Sequence, residues 1–145
     1  MRSAIAVLFA LLLASVASAQ TVPSSYVPFG NNCAVFDSAV TGGTTAYIAV
    51  RGVCNVPSEA NAVMWTLVAT NSTAAGTVQV FDSGILPTGI EPALTYPSGT
   101  GTSRTMTITR LCYPALECSG VDVALKPTAS ANFKLVVLGY FEPLP

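Results

Sequence analysis

Few side chains in this chain have types and spacing that could do chemistry. It carries four cysteines, seven Asp or Glu residues, six Lys or Arg residues and no histidine. Cys112 and Cys118 stand six positions apart in "LCYPALECSG" (111–120), a spacing open to a metal clip, a redox pair or a covalent staple. A zinc clip calls for C-x(2–4)-C pairs or added histidine, and a redox pair for C-x-x-C beside a helix; neither pattern is present. Without histidine the common general base is missing, and so are the Ser and Cys triads built on it. A glycosidase needs only two carboxylates, yet Asp37, Glu59, Asp82, Glu91, Glu117, Asp122 and Glu142 form no pair in sequence, and each reads as a turn or edge residue. Calcium wants several oxygen ligands in one loop. "FDSG" (81–84) offers Asp82 and Ser83 with no second acid, the pattern of an Asx turn closing a strand. The reading is a non-enzyme with no catalytic residues, no cofactor and no metal, and a ligand-binding site is not identified.

The compartment decides among the cysteine readings. The chain opens "MRSAIAVLFALLLASVASAQ": Arg2 as a positive n-region, an apolar run over 4–14, and Ala17-Ser18-Ala19 as an A-x-A cleavage site. This predicts a secretory signal peptide over 1–19 and a mature domain over 20–145. The apolar run is well short of the ~20 residues that span a bilayer, so no membrane insertion of the mature chain is expected. Export places the four cysteines in oxidising surroundings, where an even count reads as two disulfides; three connectivities are possible. Charged residues make up 9% of the chain, with a net charge of −1, against about 25% in an average domain. That balance argues against nucleic acid and anionic membrane surfaces as partners. It also implies a neutral surface rich in Thr, Ser, Asn and Gly, with little charge to protect strand edges.

The elements that position these residues read as strands. "TMTITRL" (105–111) alternates Met106, Ile108 and Arg110 with Thr105, Thr107 and Thr109, a half-buried strand with the threonines on its polar face. "GVDVALK" (120–126) alternates Val121, Val123 and Leu125 with Asp122, Ala124 and Lys126. Two such strands around a short Pro-containing loop predict a β-hairpin, with Cys112 and Cys118 bridged across its mouth. Arg110 then either ends its strand at the rim or pairs with Asp122 across the hairpin. Further strands are expected at 44–50, 62–70, 76–82, 92–96 and 132–141. Val63, Trp65, Leu67 and Ala69 share one face, as do Val78 and Val80, and Phe133, Leu135 and Val137. Turn clusters separate the strands, and Asn71-Ser72-Thr73, though a glycosylation sequon, reads as one of these turns. No segment after the leader holds a helical period. The fold predicted is all-β: an antiparallel β-sandwich, jelly-roll or immunoglobulin-like, with a partly closed β-barrel as the alternative. Trp65 reads as core, leaving Tyr26, Phe29, Tyr113, Tyr140 and Phe141 as the candidates for an exposed aromatic strip.

Three segments in order carry a resemblance: "YVPFGNNCAVFD" (26–37), "RGVCNVPSEANAVMWTLVATNSTAAGTVQVF" (51–81) and "KLVVLGYFEP" (134–143). Together they resemble a domain of secreted bacterial proteins, found in actinobacteria, acidobacteria and proteobacteria, with a Y-x-P…C…D opening, an A-V-x-x-N-V-T-V-like middle and a V-x-G-Y-F close. The resemblance implies an extracellular, non-catalytic β domain whose own role is unassigned. It also implies the pairing of Cys33 with Cys54, which leaves Cys112 with Cys118. The family's arginines after the first Cys and after the Asp are Ala34 and Ala39 here, while Asp37 is kept, so a polar cluster built on those arginines is missing.

Two functions follow as expectations. The first is an exported structural or adhesive protein, extracellular or at the cell surface, whose partner is itself through strand-edge assembly. The Pro-punctuated segment 20–32 completes either its own sheet or a neighbour's. The alternative is a binding module for an envelope polysaccharide or protein.

Overall fold

The computed structural model describes residues 24–85, 88–112, 118 and 120–144. The expected signal peptide at 1–19 lies outside the described residues, as do Tyr113 and Glu117. Eight strands follow one another: β1 (Ser24–Val40), β2 (Ala46–Ile48), β3 (Ala62–Thr70), β4 (Gly76–Asp82), β5 (Leu94–Tyr96), β6 (Ser103–Arg110), β7 (Val123–Pro127) and β8 (Ala131–Pro143). They form two four-stranded antiparallel sheets, ordered β1-β8-β3-β6 and β2-β7-β4-β5. The first four strands therefore pair with the last four in reverse: β1 with β8, β2 with β7, β3 with β6 and β4 with β5. A long hairpin rolled over on itself produces this order, which is that of a jelly roll. The sandwich thus takes its jelly-roll form rather than the immunoglobulin-like one, and the sheets do not close into a barrel.

Period-two alternation builds the core. Along β3, Val63, Trp65, Leu67 and Ala69 are buried, while the residues between them are half-buried. Phe133, Leu135 and Val137 of β8 lie beside them in the same sheet, and Val78, Val80, Val123 and Leu125 supply the opposite sheet. Each large apolar side chain buried this way contributes roughly 1.5–3 kcal/mol. Trp65 is fully buried, as expected, and its Nε1 finds no hydrogen-bond partner among the described residues. Its ring is therefore held by apolar packing.

The structure corrects the expected partner of β6 and β7 and the faces that both strands bury. β6 and β7 do not form a hairpin: β6 pairs with β3, and β7 with β2 and β4, in opposite sheets. The faces of β6 are also reversed. Its register sets Thr109 against Val63, Thr107 against Trp65 and Thr105 against Leu67. Opposed residues of an antiparallel pair share a face, so the threonines turn toward the core and Met106, Ile108 and Arg110 turn out. Met106 is 69% and Ile108 55% exposed. Alternation shows that a strand has two faces; the heavier apolar face of β3 decides which one of β6 goes inside. On β7, too, Ala124 is buried along with Val123 and Leu125.

Candidate functional site

The cysteines are staples, and the fold explains what each one ties. Cys33 and Cys54 are bridged with their Cα atoms 5.7 Å apart, as are Cys112 and Cys118 at 5.9 Å. The second bridge does not close a hairpin mouth. It spans the crossing from β6 in one sheet to β7 in the other, at the point where the Cys112 N–H donates to the Asp122 carbonyl at 2.9 Å.

Beside that crossing sits a polar node that the sequence did not announce. Asp122 pairs with Arg51 (Nη1–Oδ1 2.5 Å), not with Arg110. Its second oxygen accepts the backbone N–H groups of Val50 and Arg51 at 2.7 and 2.9 Å. The guanidinium also donates to the carbonyls of Ala60 and Cys112. Planar fork geometry suits arginine to this task. Arg110 ends β6 exposed, the rim position. The signal available beforehand was thin: an aspartate alternating with valines in "VDV", and one arginine three residues before a cysteine.

Two features face solvent with the means to bind something. The first is β6. It ends its sheet, has β3 as its sole ladder partner, and carries no bulge, proline or lysine along Ser103–Arg110. Its outward apolar side chains lie on the same face as Met64 and Thr66, opposite Ile108 and Met106. The second lies at the far edge of that sheet. Strand β1 advances from Pro28 to Cys33 while β8 moves only from Gly139 to Val137. The surplus residues make a bulge, and Phe29, Asn31, Asn32, Asn55 and the Cys33–Cys54 bridge line a cleft of about 270 Å³ there.

Among the described residues, the candidate aromatic strip resolves into two tilted ring pairs across β1 and β8. Tyr26 lies 5.1 Å from Phe141, and Phe29 5.6 Å from Tyr140, centroid to centroid. Tyr26 covers Gly139, where an added Cβ would come within 2.6 Å of its ring. The segment from Ser24 onward pairs with β8 of its own sheet. The other sequence candidates are structural. The Asp82 carboxylate accepts the Gly84 N–H at 2.9 Å, closing an Asx turn. The sequon forms a turn, with Asn71 in the left-handed region (φ 51°) and the Ser72 hydroxyl donating to the Pro97 carbonyl. Among the described residues no three His, Cys, Asp or Glu gather as metal ligands, and no helix is long and apolar enough to cross a membrane. No family model matches the chain, and no curated protein matches it in sequence.

Proposed function

We propose that this chain is an exported, non-catalytic structural or adhesive protein of the cell surface or extracellular matrix, akin to the secreted bacterial β domains it resembles, and that its copies join through the edge of β6. The observation that carries this reading is the straight, bulge-free edge of β6 with its exposed apolar centre. Proteins blunt sheet edges with charged side chains, proline or bulges; β6 has no proline or bulge and carries charge only toward its ends, at Arg104 and Arg110, while turning Met106 and Ile108 to solvent between them. A free ladder beside an apolar face suits strand addition. Charge supports a head-to-tail arrangement. One cross-strand row runs Asp37, Lys134, Val68, Arg104; Asp37 pairs with Lys134 at 2.9 Å within the chain, and β6 of one copy beside β1 of the next would set Arg104 on the other side of the same carboxylate. The irregularities after Pro28 and after Ala34 confine that contact to the regular stretch from Phe36 to Val40. Such an arrangement is heterologous and open-ended. Two disulfides suit the oxidising compartment it requires.

Sedimentation and electron microscopy of the exported protein test this reading. Wild type should form extended oligomers and Ile108→Lys should be monomeric. Because Ile108 is 55% exposed, the lysine should leave stability within about 0.5 kcal/mol. A wild-type protein that stays monomeric at every concentration sinks the proposal. A second reading, a binding module for an envelope polysaccharide or protein, draws its support from the cleft beside the Cys33–Cys54 bridge.

A further inference from the structure

We infer that the cleft between the β1 bulge and the Cys54–Asn55 turn binds the hydroxyl groups of a neutral saccharide; this rests on the second reading and is independent of assembly through β6. Three exposed asparagines, Asn31, Asn32 and Asn55, line the cleft, so their carboxamides are open to solvent and to a ligand. A carboxamide offers two N–H donors and a carbonyl acceptor. Neighbouring sugar hydroxyls, which donate and accept at once, match that set. No charged side chain lines the cleft, so nothing there favours a phosphate or a uronate. Phe29 provides an apolar ring wall, backed by Tyr140, against which the C–H face of a pyranose can lie.

The cleft is also held in place. Cys54 and Asn55 both occupy the left-handed region, at φ 56° and 61°. Asparagine tolerates this conformation, but for cysteine it is strained. Such outliers persist where the surroundings over-determine them and cluster at binding sites. Here the surroundings are the bridge to Cys33 and two turn hydrogen bonds, Gly52 N–H to the Val56 carbonyl at 2.8 Å and Val56 N–H to the Val53 carbonyl at 3.0 Å. Bulges re-aim side chains beside functional sites, and this one puts both Asn31 and Asn32 among the residues that line the cleft. About 270 Å³ falls just below the usual range for small-molecule sites, which suits one or two sugar rings of a chain that continues into solvent, with affinity in the millimolar range.

The test is an NMR titration of the exported protein, carrying Ile108→Lys if assembly broadens its spectrum. The probes are cellohexaose, maltohexaose and chitohexaose as neutral chains, with hexagalacturonate as an acidic one. At least one neutral chain should shift the side-chain amide signals of Asn31, Asn32 and Asn55. Binding should weaken at least tenfold in Asn31→Ala/Asn32→Ala and in Asn55→Gly, since glycine keeps the left-handed turn without strain. Neutral binding centred on the Tyr26–Phe141 pair would leave the saccharide-module reading standing and overturn the cleft assignment. Tighter binding of hexagalacturonate would overturn the neutral class. No perturbation by any of the four would overturn the inference and, with it, the polysaccharide half of the reading beneath it.

Discussion

Arg51 and Asp122 are the residues on which most other contacts converge. Their side chains are 16% and 10% exposed, so the pair is largely removed from water. Removing one member of a buried pair leaves the other uncompensated, which costs about 3–5 kcal/mol, whereas exchanging both for apolar residues of similar volume is often close to neutral. Arg51→Ala should therefore lower the unfolding free energy by about that amount, and Arg51→Met/Asp122→Leu should recover much of it. The recovery should be incomplete. Asp122 also accepts the Val50 and Arg51 N–H groups, and leucine leaves those donors unpaired. Chemical denaturation of the three proteins measures the difference. If Arg51→Ala is as stable as wild type, the node does not hold the crossing between the sheets.

Among the elements, β5 shows how a very short strand is kept. Its three residues, Leu94–Tyr96, pair only with β4. What anchors them is Tyr96, whose hydroxyl donates to the Ala129 carbonyl at 2.7 Å while its ring meets the edge of Phe133 at 5.6 Å. Burial pushes the phenol pKa above its usual 10.0, against the opposing pull of the hydrogen bonds to Ala129 and Thr128. A folded-state pKa above the unfolded one means stability that is complete below pH 10.0 and declines as pH rises through the folded value. Tyr96→Phe should cost about 1 kcal/mol at neutral pH through the lost hydrogen bond. The gap between wild type and variant should then narrow above pH 10.0, because only wild type gains an ionised Tyr96 on unfolding. Parallel denaturation series from neutral to strongly alkaline pH read this directly; a gap that widens with pH would show the sign to be wrong.

At the scale of the whole molecule, the two bridges constrain loops of different size. Cys33 and Cys54 are 21 positions apart, Cys112 and Cys118 only 6. In the chain-entropy picture such loops are worth about 3 and about 2 kcal/mol. The larger bridge also joins β1 to the 50–56 turn, at the sheet edge opposite β6. Replacing Cys33 and Cys54 by alanine should thus lower the melting temperature more than replacing Cys112 and Cys118. The reverse order would mean that the crossing from β6 to β7 relies on its bridge more than on the Arg51–Asp122 pair.

The sequence by itself determined the class of structure and the positions of seven of its eight strands; β1 (Ser24–Val40) carries no steady alternation, because register shifts after Pro28 and after Ala34 interrupt it, and it shows as a strand only when paired with β8. Alternation of residues such as Val63, Trp65, Leu67 and Ala69 with polar neighbours leaves one face to bury, and turn clusters rich in Gly, Ser and Pro fix where each strand stops. Tertiary pairing decided the rest, because alternation is local and partners are not. "TMTITRL" reads the same whether its threonines or its Met106 and Ile108 face inward, and the choice came from β3, about forty residues earlier. The nearness of β7 in sequence suggested a hairpin, yet a rolled-over chain pairs its beginning with its end. The ion pair and the cleft join residues from separate parts of the chain: Arg51 meets Asp122, and Asn31 and Asn32 meet Asn55, only after the sheets have formed. Their chemistry depends on that proximity, for which a single sequence of scattered Asn, Asp and Arg residues carries no local pattern.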